Sequence, residues 1–201
     1  MVIPIAHRIN TIEGCNSIPS SVGIEFDVHA YGSNLIVSHD PCNKGVRLKK
    51  FLEKNKNRLC AINIKEEGIE REVIELSKEI GIKNFFLFDV SFPQVFRLAS
   101  EYKNHLCLRV SEYEKPTLGE LTELCNYLWI DTFGGDFWMS REEIKYLKDL
   151  KYKLCLVSPE LHRPRVKKQI EFARKFKKNI DFFDDMDSIC TKDYKVYSQY
   201  W

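Results

Sequence analysis

Long hydrophobic runs are missing: nothing in the chain approaches the ~20 apolar residues of a membrane-spanning helix, so no transmembrane segment is expected. The opening stretch, Met1 to Ala6, is apolar but meets His7 and Arg8 at once, and reads as a strand rather than a leader. An excess of one charge is missing too. In 201 residues, 31 basic side chains face 29 acidic ones, a formal net charge of +2. So even a balance gives no bulk attraction to nucleic acid or an anionic membrane, and any anion must be met by a local site. Nine glycines and seven prolines are too few for a linker-rich or disordered chain. The seven cysteines contain no CxxC pair, which removes the usual iron–sulfur and dithiol motifs. Cys60, Cys107 and Cys155 fall in apolar runs and read as small buried hydrophobes of a reducing cytoplasm. There is no HxH for a zinc hydrolase and no GxGxxG or Walker loop for a nucleotide.

What is present is a rhythm. Short runs rich in Ile, Val, Leu and Phe occupy 3–7, 23–28, 35–38, 59–64, 85–90, 106–110, 127–131, 154–158 and 180–183. They do not alternate strictly, as expected of strands covered on both faces. Between them the apolar spacing predicts helices over 46–57, 69–80, 93–102, 117–125, 140–150 and 164–176. Thr117 with Glu120, and Ser140 with Glu143, have capping-box spacing, and Gly81 is a stop signal. Strand–helix alternation means a parallel α/β architecture. With 35–38 as an extra piece, the runs make eight βα units, and the expectation is one small (β/α)8 TIM barrel over 1–201. Residues 10–22 hold Gly14, Pro19 and three serines, so the first helix should be reduced.

In such barrels the chemistry sits where strands end at their C-terminal side. Glu25 and Asp27 are two apart on a strand and share a face. Two carboxylates together need a cation or a proton, and hard oxygen ligands suit one divalent cation, Mg²⁺ or Ca²⁺. Asn63 and Lys65 are likewise two apart; the amide oxygen can be a neutral third ligand, and the ammonium, like Arg8, can hold a phosphate oxygen. His7 and His39 end separate runs, and a pair of imidazoles can divide acid and base work across a phosphodiester.

The stretches Ile5-Ala6-His7-Arg8, Gly23-Ile24-Glu25-Phe26-Asp27-Val28 and Val37-Ser38-His39-Asp40-Pro41 resemble the HR, ExD and HD elements of the glycerophosphodiester phosphodiesterase family. Asn63-Ile64-Lys65 resembles its ExK strand in part. The resemblance covers about residues 3–65, and the wider superfamily includes phosphatidylinositol-specific phospholipases C. It implies a metal-dependent phosphodiester hydrolase acting on a small glycerophosphodiester or related head group. His7 and His39 would be catalytic, Glu25, Asp27 and Asn63 metal ligands, and Arg8 and Lys65 substrate-binding. Asn63 stands where the family has a carboxylate, and Asp89, Glu66 or Glu67 are candidates to make up the lost charge. The short run between Asp40 and Leu59 leaves no room for the substrate-covering insertion domain of larger members. The mouth should therefore be open, its missing wall supplied by the substrate, a membrane or a partner. Two other readings stay open: a degenerate barrel that binds a phosphorylated ligand or partner without turnover, and a lyase or transferase that releases a cyclic phosphate.

Other residues suggest blander roles. His29 and His162 read as loop residues, the latter in a basic turn with Arg163 and Arg165 that is either solvated or meets an anionic head group, and His105 reads as structural. Trp129 and Asp131 end the sixth strand; the aromatic loop 133–138 at the same rim reads as rim packing or as the lining of a pocket or a lipid contact, and the tail 194–201 as a cover on the barrel.

Overall fold

A computed structural model describes residues 1–41, 44–134, 136–162, 169–180 and 182–197. In chain order the strands are β1 (Ile3–Ala6), β2 (Gly23–Tyr31), β3 (Asn34–Val37), β4 (Val46–Arg47), β5 (Cys60–Ile64), β6 (Phe85–Phe88), β7 (Cys107–Val110), β8 (Tyr127–Ile130), β9 (Lys153–Val157) and β10 (Ser188–Thr191). The helices are α1 (Ile12–Asn16), α2 (Leu48–Glu53), α3 (Glu70–Ile80), α4 (Phe92–Tyr102), α5 (Arg141–Asp149) and α6 (Gln169–Lys178).

Parallel ladders join β6, β5, β2, β1, β10, β9, β8 and β7 in that order. The ends of this row meet through a single parallel bridge, Leu87 to Leu106, so the eight-stranded ring comes together at β6 and β7 without a regular ladder. The strands β3 and β4 form an antiparallel flap on the outer end of β2.

The expected eightfold alternation is present, and its phase explains two cores. One parity of side chains points between sheet and helices: Ile24, Phe26, Ile62, Leu87, Leu128 and Leu154 are fully buried there. The other parity fills the lumen with Ile5, Ala61, Phe86, Phe88, Cys107, Tyr127, Trp129, Cys155, Val157 and Cys190. Layers of inward side chains are how such barrels are plugged. Here large and small residues alternate: Phe86 stacks on Tyr127 at 4.6 Å and Phe88 on Trp129 at 4.0 Å, opposite small cysteines. Of the cysteines, the six described ones are buried and unpaired; burial pushes the thiols of Cys60 and Cys155 up to about 12, so they serve as packing.

The helices follow their sequence signals with instructive exceptions. In α3 the residues Val73, Ile74 and Ile80 are buried, and Gly81 ends it at φ 86, a left-handed turn that favours glycine. Ser140 forms a full capping box with Glu143 at the head of α5. The first helix is reduced, as expected, to five residues capped by Thr11. The helix expected over 117–125 is only a 3₁₀ turn, Leu118–Leu121; Thr117 offers its carbonyl, not its hydroxyl, to Glu120. Gly119 inside that turn, a poor helix former, explains the failure. The eighth strand is not at 180–183 but at Ser188–Thr191, and Phe183–Asp185 is a 3₁₀ turn. Phe182 and Phe183 are buried against the outside of the barrel, which made that run look like a strand. Arg163, Arg165, the start of the helix expected over 164–176 and the tail residues 198–201 lie outside the described residues. Tyr197 does cover the barrel: its hydroxyl lies 2.8 Å from Ser158 Oγ and its ring stacks on Phe183.

Candidate functional site

Continuing the lumen parity upward past the apolar layers reaches polar residues. Above Ile5 comes His7, above Ala61 comes Asn63, above Cys107 comes Arg109, and above Trp129 comes Asp131. These line a pocket of about 250 Å³ at the C-terminal mouth, together with Arg8, Glu25, Lys65, Phe88, Asp89, Val157, Leu161 and His162. Five of the seven expected site residues therefore meet in one cavity: His7, Arg8, Glu25, Asn63 and Lys65. Asp27, level with Asn63 in the β2–β5 ladder, adjoins them without lining the cavity, and His39 follows β3 on the flap.

On the near wall, formed by β1, β2 and β5, the backbone itself is strained toward the site. Arg8 has φ 57, left-handed for a residue with a side chain. That turn lets its N–H donate to Glu25 Oε2 at 2.6 Å, while Ile9 N–H reaches the Glu25 carbonyl at 2.8 Å. His7 Nε2 is 3.7 Å from the same carboxylate oxygen. Asp27 pairs in register with Asn63 across β2 and β5. It binds Lys65 at 3.0 Å and accepts from Asn10 Nδ2 at 2.8 Å, and Asn10 Oδ1 in turn takes the Asp27 N–H. Both carboxylates are nearly sealed, at 1% and 2% exposure. Burial, then the charge of Asp27, pushes Glu25 up to about 8. Burial, then the Arg8 charge, pulls His7 down to about 4, so its imidazole is neutral at pH 7.

Asn63 Oδ1 is buried without a hydrogen-bond partner. A buried carbonyl oxygen left alone is unfavourable by about 1–3 kcal/mol, and here it sits beside two crowded carboxylates. That is an all-oxygen donor set of the kind hard cations take. Among the described residues no three His, Cys, Asp or Glu side chains form a metal-binding group, so such a set depends on the Asn63 amide. The candidates to replace its missing charge are engaged elsewhere. Asp89 binds Arg109, Glu66 Oε2 lies 3.6 Å from His29 Nδ1, and Glu67 accepts from Gln94 at 3.2 Å.

His39 carries its ring on the flap, with Nδ1 2.7 Å from Asp40 Oδ1. Its backbone carbonyl accepts from His29 Nε2 at 3.1 Å. His29 is thereby corrected from a loop residue to a buried one, since β2 runs on to Tyr31 and only 6% of His29 is exposed. His105, on the opposite end, stacks on Phe85 at 4.1 Å, a structural place.

The far wall, from β6 to β9, holds what motif reading passed over. Arg109 donates to Asp89 and to Asp131; its Nε is 3.1 Å from Asp89 Oδ1. Burial lowers the Arg109 pKa, but the two carboxylates outweigh it and the net direction is up. Asp131 is fully buried and also accepts the Thr132 N–H at 3.0 Å and His162 Nε2. Trp138 Nε1 holds the Asp131 carbonyl at 2.7 Å, and Phe133 lies on the His162 ring at 4.4 Å. His162 is thus part of the pocket, not a solvated turn. The available signal was parity: Arg109 is a charged residue two places after Cys107 in an apolar run, so it had to enter the lumen.

The architecture is similar to the crystal structure of a glycerophosphodiester phosphodiesterase from Agrobacterium tumefaciens. The TM-score is 0.71 and the identity 14%, over 98% of this chain and 99% of that one. The likeness shows the fold. No protein-family model and no curated protein matches the chain. No helix among the described residues is long and apolar enough to cross a membrane.

Proposed function

We propose that the protein is a metal-dependent phosphodiester hydrolase of the glycerophosphodiester phosphodiesterase type. One observation carries the reading: two buried carboxylates and a buried, unpartnered amide oxygen converge beside a neutral imidazole at the mouth of a barrel. Glu25, Asp27 and Asn63 would hold the cation, Mg²⁺ or Ca²⁺, which when bound supplies charge stabilisation to the phosphate oxygens. Arg8 and Lys65 hold the phosphate by its remaining oxygens. His7, uncharged, accepts the proton of a substrate hydroxyl next to the phosphate as that oxygen bonds to phosphorus. The bond from phosphorus to the alcohol breaks, and His39 gives the departing oxygen its proton. The cyclic phosphate is then opened by water with the two roles exchanged. A cytoplasmic setting, as expected from the cysteines, belongs to the same proposal.

The resemblance of the HR, ExD and HD elements and the shared fold support this reading. Phosphorus NMR of glycerophosphodiesters with Mg²⁺, Ca²⁺ or Mn²⁺ tests it. Cation-dependent appearance of a phosphomonoester, stopped by a chelator, is expected. A second reading, a barrel that binds a phosphorylated ligand without turnover, is favoured by Lys65, which already satisfies Asp27. It becomes the better account if none of the three cations raises the melting temperature or gives product. A lyase or transferase would instead leave the cyclic phosphate or a new diester in the spectrum.

A further inference from the structure

We propose that His29 is a positioning residue for His39: it holds the backbone of the proton donor over the face of β2 that carries Glu25 and Asp27, and so governs protonation of the departing alcohol. This rests on the hydrolase reading above and adds to it a residue that the HR, ExD and HD elements do not contain.

Alternation gives the place. Glu25, Asp27 and His29 follow one another at two-residue steps on β2 and share a face, each step roughly 7 Å. The ladder from β2 to β5 ends with Val28 and Ile64, so His29 stands just past the closed part of the ring, where β3 alone pairs with β2. β3 ends at Val37, and Ser38 still gives its N–H to the Asp27 carbonyl at 3.0 Å. Continued in that register, His39 would run beside Phe26; instead its carbonyl meets the His29 ring, with Nε2 at 3.1 Å. The chain has left the ladder and turned toward the face that bears the two carboxylates. The hydrogen bond from His39 and, more weakly, the Arg8 charge hold the Asp40 carboxyl below the usual carboxylate range, which sets this corner near the end of β1.

Hydrogen bonding gives the role. A carbonyl only accepts, so the bond puts a proton on His29 Nε2, and that donor is present in the neutral and the charged ring alike. His29 is buried, and among the described residues no other hydrogen bond holds the His39 backbone. On its other side, Glu66 Oε2 in the loop after β5 lies 3.6 Å from His29 Nδ1. The ring is thus wedged between the segments that follow β3 and β5. Asp40 settles the remaining freedom of His39, the turn of its imidazole, with Oδ1 2.7 Å from Nδ1. One neighbour fixes the ring and the other the backbone. A reacting group misplaced by about 1 Å loses about 100-fold in rate. His39 acts on the leaving oxygen, so a shift of its backbone shows only where that oxygen needs a proton.

The test compares two glycerophosphodiesters, the ethyl and the p-nitrophenyl ester, with the cation that supports turnover. Ethoxide must be protonated as it leaves, whereas p-nitrophenolate departs as the anion. His29→Leu should lower kcat on the ethyl ester roughly 10–100-fold with KM within about twofold, and change the p-nitrophenyl rate by less than about threefold. His29→Gln, whose amide keeps an N–H for the carbonyl, should stay within about threefold of wild type on both. In a His39→Ala background His29→Leu should bring no further loss, because no donor is left to place. Nitrogen-15 NMR of the wild-type imidazoles should find His29 protonated at Nε2, a measurement that needs no variant to fold. Melting curves show that each variant is folded. Equal losses on the two esters in folded His29→Leu, a further loss in the His39→Ala background, or a His29 ring protonated at Nδ1 alone overturns this role while leaving the hydrolase reading intact. A wild type that turns over neither ester with Mg²⁺, Ca²⁺ or Mn²⁺ removes both.

Discussion

The two walls of the mouth carry similar charged groups and settle them in opposite ways. On the far wall every oxygen of Asp131 has a donor, and Arg109 is matched by two carboxylates. The near wall is left out of balance: Glu25 and Asp27 crowd each other, and Asn63 Oδ1 has no partner. Buried polar groups are ordinarily satisfied, and those that are not concentrate where a ligand completes them. The difference says that the far wall is finished by folding and the near wall by binding.

The comparison can be broken in four ways, in falling order of effect. His7→Ala should lower kcat about 10³-fold, roughly 4 kcal/mol of barrel-borne catalysis, with urea unfolding changed by less than about 1 kcal/mol. Asp131→Ala should do the reverse in kind, removing about 3 kcal/mol of stability in the same urea assay by leaving Arg109 half-paired. If the two variants behaved alike, the division of labour would be wrong.

The third is a pH effect. Glu25 sits at about 8 when folded against 4.5 as a free side chain, so its protonated form favours the fold below 4.5 and that contribution is lost as pH rises to 8. His7, at about 4 against 6.5, contributes above 6.5 and loses it as pH falls to 4. The two oppose each other at intermediate pH, and from 6.5 to 8 only the Glu25 slope remains. Metal-free protein should therefore lose about 2 kcal/mol across that window, and Glu25→Gln should flatten it. The smallest effect is Asn63→Asp, which should tighten divalent-cation binding about tenfold by calorimetry, or 1.4 kcal/mol. An unchanged affinity would take Asn63 out of the site.

Legibility divides along the same line. The near wall showed in the sequence because its residues come in pairs two apart, Glu25 with Asp27 and Asn63 with Lys65, and a strand turns that spacing into one face. The cap at Ser140 was as plain, since its partner is three residues away. Asp89, Arg109, Asp131 and His162 come from four separate loops and strands, so no short pattern contains them. Strand β10 was misplaced because Ser188, Ile189, Cys190 and Thr191 are weakly apolar beside Phe182 and Phe183. It lies in the sheet because β1 and β9 flank it on both sides.

The seam between β6 and β7 gives the far wall a second meaning. A ring of strands is a hoop, and this one is fastened at seven joints by ladders and at the eighth by one bridge. Asp89 follows β6 and Arg109 lies on β7, so their ion pair straddles that eighth joint at its upper lip. The amides along this edge should exchange with deuterium first, and salt should hasten them, as screening loosens the clasp. The width of the mouth is then an elastic property, set by how firmly one charged pair holds the hoop shut.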